Sequence, residues 1–208
     1  MCYTISIDQK VAKVAKRLNV TVDSSTDTFI PTAKLSGFTH PTLLIVKNDK
    51  PLLLTTGQWG LFPQWAKDPS IQNLTLNAKI ETLAEKPSFA PYIENRCIVL
   101  VDGFYEWQWH NKSGSKKQEY IITMPEQKIF SLAGIYSVKD NITTCSILTQ
   151  PANTLMSTIH NTKKRMPLIL EEHQEKEWLQ TGIFELADDK LPLTATPINQ
   201  VQGLLFDL

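Results

Sequence analysis

No charge of either sign predominates in this sequence: 21 lysines and arginines balance 21 aspartates and glutamates over 208 residues. Nothing global therefore advertises a nucleic-acid or membrane partner, and any site for a polyanion has to be a local patch. No apolar run approaches the roughly 18 residues of a membrane span, and "SIDQKVAKVAKRLN" near the start is amphipathic and charged, unlike the apolar core of a signal peptide. Cysteine is scarce. Cys2, Cys97 and Cys145 are odd in number and far apart, which argues against a disulfide framework and for a reducing, cytoplasmic compartment. The cysteines and the four histidines (His40, His110, His160 and His173) show no CxxC, HxxxH or HExxH spacing, so neither a metal nor another cofactor is expected. P-loop, GxGxxG and GxSxG patterns are missing as well.

What is present is an ordinary globular composition, 42% hydrophobic and 20% charged. A chain of this length buries roughly 70% of its unfolded surface and needs no covalent staple. "DQKVAKVAKRL" spaces Val11, Val14, Ala15 and Leu18 for one helical face, with Asp8 as the expected N-cap. "TLLIV" and "PLLLTT" flank the turn "KNDK" as a hairpin, and "RCIVLVDGFYEWQWH" predicts a buried strand, an Asp-Gly break and an alternating strand. "EYIITM", "KIFSLAGIYS" and "TTCSILT" extend an antiparallel series, whereas "PANTLMSTIH" and "EEHQEKEWLQTG" predict helices. There is no repeat, low-complexity tract or linker. The expected architecture is α+β: one domain, residues 1–208, on antiparallel β-sheets with a barrel-like core and peripheral helices.

Five places carry unusual chemistry. Cys2 follows the initiator methionine; trimming Met1 leaves an α-amine and a thiol on adjacent carbons, a 1,2-aminothiol that traps an aldehyde first as an imine and then as a thiazolidine. The bland alternative is a small residue at a tolerant terminus. In "WGLFPQW", Trp59 is read as a packing anchor and Trp65, beside "AKDP", as a stacking platform for bases. In "NAKIETLAEKPSF", Asn77, Lys79 and Glu81 alternate with Ala78 and Ile80. That pattern suits either a solvated strand face or an amide and ammonium facing a cleft, with Lys86 following. Glu106, between Tyr105 and Trp107, is either an outward-facing residue or a desolvated carboxylate raised into general acid–base range. His160 in "TIHNTKKRMPLIL" is either structural or a proton carrier, and Lys163, Lys164 and Arg165 beside it form either a surface run or a phosphate grip. Lys164 is assigned to the surface. Cys97 and Cys145, in apolar strands, are read as core thiols.

Met1-Cys2, "WGLFPQW", "NAKIET", "RCIVLVDGFYEW", "AGIYS" and "IHNTKKRMPLIL" together resemble, in order and spacing, the SOS response-associated peptidase family, whose members are also described as abasic-site processing proteins. The resemblance covers residues 2 to about 170. It implies a cleft for single-stranded DNA and a Cys2 that crosslinks to the ring-opened aldehyde of an abasic site. Asn77 matches the amide of the family's "NAR-E-T" motif, Glu106 the acid of "DG-[FW]-[YF]-E-W", and His160 the histidine before "R-[MR]-P". The peptidase label refers to removal of the residue preceding Cys2. The sequence departs from the family pattern in three places. Tyr3-Thr4 stands where Gly-Arg often follows the cysteine, "NAK" replaces "NAR", and "SGFTHPT" stands in place of "N-x-A-P". Lys79 thus supplies a point charge where arginine would supply a fork.

The expected chemistry is acid–base opening of the sugar by Glu106 and His160, attack by the Cys2 α-amine, and closure by the Cys2 thiol, with Asn77 orienting the terminus or sugar and weak lyase activity through the imine. Lys79, Lys86, Lys163, Arg165 and Trp65 are the expected DNA contacts. A monomer in the cytoplasm, nucleoid-associated when bound to DNA, is the expected setting. Two rivals remain: a cysteine hydrolase using Cys2, His160 and Glu106, and a non-covalent single-strand-binding module.

Overall fold

The structure is a computed structural model that describes residues 2–186 and 188–198. Met1, Ala187 and residues 199–208 lie outside the described residues, and with them the state of the first peptide bond and the end of the expected 1–208 domain. The strands are β1 (Thr4–Ile7), β2 (Thr21–Val22), β3 (Thr32–Ser36), β4 (Thr42–Lys47), β5 (Leu53–Trp59), β6 (Asn77–Lys79), β7 (Arg96–Val101), β8 (Gly103–Trp109), β9 (Lys117–Thr123), β10 (Phe130–Lys139), β11 (Ile142–Pro151), β12 (Arg165–Pro167), β13 (Ile169–Leu170) and β14 (Thr194–Pro197). The helices are α1 (Val11–Leu18), α2 (Thr154–Ile159) and α3 (Glu172–Thr181).

Five strands close on themselves. Antiparallel pairing runs β5–β4–β7–β10–β11, and β11 returns to β5 in parallel, with Thr144 opposite Gln58 and Cys145 opposite Trp59. This is the barrel-like core expected of the α+β class. β2 extends β5, β6 and β12 flank β11, and β13 flanks β10. A second, antiparallel sheet has the order β14-β9-β8-β1-β3.

The unbroken apolar runs in β4 and β7 are explained by burial on both faces. Strand alternation sends Leu44, Val46, Ile98 and Leu100 into a cluster that includes Val14 of α1 and Trp178 of α3. It sends Leu43, Ile45, Cys97 and Val99 into a second cluster with Ile5, Phe104 and Ile122 of the five-stranded sheet. Sheet and ring are therefore packed through one shared apolar layer, and Cys2 belongs to it.

Local signals were met with some differences. α1 begins three residues after Asp8 and has no side-chain cap; the Asp8 N–H instead donates to the Asp102 carboxylate at 2.7 Å. The tertiary contact between the end of β1 and the Asp-Gly break wins over the local capping geometry. Pro151 ends β11, and Asn153 caps α2 by accepting from the Met156 N–H at 2.9 Å. α3 opens with a reciprocal Glu171–Gln174 capping box and closes on Gly182 at φ 75°, the left-handed position glycine takes without strain. The polar alternation after Asn77 lasts only three strand residues, because Ile80–Glu85 turns into a 3₁₀ helix.

Candidate functional site

Position 2 is held by both sheets. β1 is an interior strand, flanked by β8 and β3, and Cys2 lies just before it, fully buried. The Cys2 Sγ–H points to the Thr4 carbonyl at 3.5 Å. The Asn77 Nδ2 donates to the Cys2 carbonyl oxygen at 2.7 Å, a bond across 75 residues. Asn77 is placed by β6, whose parallel pairing sets Asn77 opposite Ile147 on the central strand β11. Its side chain is buried, and Oδ1 has no hydrogen-bond partner among the described residues. A buried amide oxygen in that condition costs about 1–3 kcal/mol, so it marks a place where a donor is wanted.

Glu106 and His160 complete the cluster. Continuing the β1–β8 register one step beyond Thr4–Tyr105 sets Glu106 beside Tyr3. Burial pushes the Glu106 carboxyl up to about 7. His160 follows the end of α2, and its Nε2 stands 4.0 Å from Glu106 Oε2. Its Nδ1 lies 2.8 Å from the Arg165 carbonyl and 3.3 Å from the Arg165 N–H, which ties the ring to that backbone and turns Nε2 toward Glu106. Desolvation holds His160 below its ordinary range, opposed in part by that Arg165 hydrogen bond. Both shifts favour the uncharged forms, so below about pH 7 the contact is mainly a carboxylic acid facing a neutral imidazole rather than a fixed ion pair. The Cys2 thiol is driven well above its usual range by burial, and the Glu106 carboxylate adds to the effect.

The four residues proposed for chemistry, Cys2, Asn77, Glu106 and His160, are thus brought together from four separate segments. The proposed contact residues divide. Lys79 and Lys86 are exposed and line a groove of about 480 Å³ that also includes Asn77, Leu74 and Phe89. Trp65 is 56% exposed, with its indole N–H 3.4 Å from the Pro87 carbonyl, next to Lys86. Trp59, by contrast, is a fully buried anchor bonded to the Leu76 carbonyl at 2.8 Å. Lys163 lines a separate open groove of about 600 Å³ with Trp109, Lys112 and Asn161.

Arg165 is turned inward. Its guanidinium makes a two-pronged pair with Glu81 and donates to the Thr149 carbonyl at 2.6 Å, and the side chain is 11% exposed. Glu81 answers with a lowered carboxyl pKa, caused first by that hydrogen bond. Arg165 therefore ties the segment after His160 to β11 and to the turn after β6. Its pairing with Glu81 was missed in the sequence: the two lie 84 residues apart, and only the outward phase of Glu81 in "NAKIE" hinted at it. A second missed tie is Asn161, whose amide bonds both backbone groups of Trp109, at 3.1 and 2.8 Å. Among the described residues no group of three or more His, Cys, Asp or Glu could hold a metal ion.

Comparison with known proteins identifies the family of the chain. The family model for SOS response associated peptidase matches residues 1–202. The abasic site processing protein YoqW of Bacillus subtilis is 34% identical over 194 residues, covering 86% of this chain and 80% of its own. The abasic site processing protein YobE of the same organism is 33% identical over 194 residues, covering 86% and 82%. A crystal structure of a protein from Bacteroides thetaiotaomicron superposes with a TM-score of 0.84 at 32% identity, covering 95% of this chain and 92% of that one.

Proposed function

Since the chain belongs to the SOS response associated peptidase family, we propose that it processes abasic sites by covalent capture, Cys2 joining the ring-opened deoxyribose in single-stranded DNA. The observation that carries this reading is the 2.7 Å bond from Asn77 to the Cys2 carbonyl. It fixes the backbone of position 2 and leaves the amide oxygen for a donor such as the freed α-amine or a sugar hydroxyl.

The reaction balances in four steps. Hydrolysis of the Met1–Cys2 peptide bond frees the α-amine, which is the peptidase step. An abasic deoxyribose is mostly a closed hemiacetal, so a proton must move on and off the ring oxygen and the C1′ hydroxyl to expose the aldehyde. Glu106, at about 7, is matched to that task, and the His160 Nε2 is placed to relay the proton. The amine, whose ordinary pKa is about 7.7–8.0, then adds to C1′ and loses water to form an imine. Finally the Cys2 sulfur adds to the imine carbon while its proton passes to nitrogen, closing a thiazolidine with no atom lost. Ring closure within one residue has a high effective concentration. β-Elimination from the imine is the competing path, and it accounts for a weak lyase activity that closure suppresses.

Single-stranded DNA follows the groove of Lys79 and Lys86, with Trp65 stacking on a base and Lys163 taking phosphate on the His160 side. The hydrolase rival needs a thiolate held by an imidazole. Here burial and Glu106 both raise the thiol, and the His160 Nε2 faces Glu106. The non-covalent rival gives no reason for a buried acid–base pair. Intact mass before and after mixing with abasic single-stranded DNA tests the proposal: the protein loses Met1 and gains one oligonucleotide, less one water. An unchanged mass after mixing, with protein lacking Met1, would rule out capture.

A further inference from the structure

The aromatic pair beside Cys2 has no part in the chemistry above, and its placement is specific. Tyr3 sits between two strands: the step beyond Thr4–Tyr105 sets Glu106 on one side, and on the other the Gly37 N–H donates to the Tyr3 carbonyl at 2.8 Å. Phe38 follows Gly37 in the 3₁₀ turn Gly37–Thr39, after β3. Glu106, Tyr3 and Phe38 therefore form a row across three neighbouring segments. The Tyr3 and Phe38 ring centroids are 5.0 Å apart at an interplanar angle of 31°. Phe38 is 55% exposed although Gly37 beside it is buried against Leu76 and Trp59.

Such a ring has an apolar face toward water and a rigid base behind it. A lone exposed aromatic needs no explanation, but this one adjoins the residue assigned to the lesion. The phosphate-binding lysines Lys79 and Lys86 are in the groove on the Asn77 side of the same residue. With the sugar at Cys2 and phosphates at those lysines, the remaining chemical part of the strand is a neutral, flat base. Where the family often carries glycine, this chain has the tyrosine ring.

We propose that Tyr3 and Phe38 form a stacking subsite for the nucleobase next to the abasic position, a contact that selects purine over pyrimidine at that one place. The inference rests on the DNA-capture reading for the location of the lesion, but it concerns binding and not bond formation. Phe38 is the outer, exposed ring and gains the base; Tyr3 backs it and holds its tilt. Because every base has a π-face and purines have the larger one, a preference of size rather than of hydrogen-bond pattern follows.

The test uses protein beginning at Cys2 and a single-stranded oligonucleotide carrying one tetrahydrofuran abasic analogue, which has no aldehyde. The fluorescent base 2-aminopurine is placed on the 5′ or the 3′ side of the analogue. Wild type is expected to quench the probe on one side only. Phe38→Ala and Phe38→Leu should lose that quenching and bind roughly 5- to 100-fold more weakly, as for loss of one stacked base, while Phe38→Trp retains both. Melting temperature confirms that the variants are folded. Quenching that is equal on both sides, or unchanged in Phe38→Ala, overturns the subsite. Separately, each protein is mixed with the natural abasic site at saturating concentration. Wild type that quenches the analogue but forms no adduct sinks the capture mechanism and leaves the subsite standing. An adduct without Phe38-dependent quenching does the reverse.

Discussion

The Nε2 of His160 and the Oε2 of Glu106 stand 4.0 Å apart, and burial favours the uncharged form of each. A pair of this kind carries no fixed charge while the site is idle, and a proton passed between its members has to be taken up elsewhere for the buried ion pair not to persist. It also has a measurable consequence for stability.

Glu106 is raised from 4.5 to about 7 in the folded protein. Between those values the unfolded chain has released the proton while the native state keeps it, so the native state binds more protons and stability falls as pH rises. The contribution is fully present below the unfolded pKa and is gone above about 7, a change on the order of 3 kcal/mol. Glu106→Gln should flatten this slope in urea titrations between pH 5 and pH 8 (a window of about three units around the shift) and raise stability at the alkaline end. The same variant should crosslink about 10²- to 10⁴-fold more slowly. A wild-type stability profile that rises across that window would contradict the assignment.

Asn77→Ala removes the side-chain hydrogen bond to the Cys2 carbonyl and leaves that carbonyl to find another donor. A cost of about 1–3 kcal/mol in stability is expected, together with slower adduct formation at saturating DNA. Asn77→Asp keeps the shape but offers no donor, so it should behave like the alanine variant in both assays. If aspartate restores the wild-type rate, the hydrogen bond to Cys2 is not what the amide contributes.

The lysine and arginine near the site should separate in salt titrations. Lys79 is exposed in the groove, and Lys79→Ala should lower the slope of log K against log salt by about one unit. Arg165 is spent on Glu81 and Thr149, so Arg165→Lys should leave that slope unchanged. It should instead destabilise the fold by about 1–3 kcal/mol, since one ammonium cannot serve both partners of a forked pair. Equal salt slopes for Lys79→Ala and wild type would remove Lys79 from the phosphate contacts.

Variants at position 2 separate the two functional groups. Cys2→Ala retains an amine and should give an imine that borohydride traps but heat reverses. Cys2→Ser can close an oxazolidine, less persistent because the hydroxyl is the poorer nucleophile. A peptide placed before Cys2 blocks the amine and should abolish the heat-stable band on denaturing gels with the thiol intact. A stable band from such a blocked protein, its mass confirmed, would return the cysteine-hydrolase reading to first place.

Much of the site was legible because its parts are chemically odd where they stand. A carboxylate among aromatics, a histidine ahead of a basic run and an amide within a short polar alternation each invited a functional reading, and the fold brings the amide and the carboxylate to Cys2, with the histidine facing the carboxylate. The ring of strands was legible in the unbroken apolar runs of β4 and β7, whose alternate residues enter two clusters. Other features were not, because they are made by distance in sequence. The inward turn of Arg165 depends on Glu81, and the uncapped start of α1 depends on Asp102. Nothing local to either residue encodes those partners. The Tyr3–Phe38 contact is of the same kind, produced by β1 and β3 pairing.

The interior position of β1 also sets a clock. Its neighbours are Ser36 on one side and Tyr105 on the other, and Cys2 is reached by Asn77 and by the charge of Glu106, which His160 faces at 4.0 Å. The cluster around Cys2 cannot be complete until some 160 residues, through His160, have been synthesised, and at about 5–20 residues per second that takes on the order of ten to thirty seconds. Through that interval the segment around Cys2 is open to solvent and to any enzyme that trims nascent chains. Afterwards the Cys2 side chain is packed in the apolar layer between the two sheets, beside Asn77 at the edge of its groove. Position 2 is thus open to processing early and flanked by paired strands later, and the order of events follows from the order of the strands in the chain.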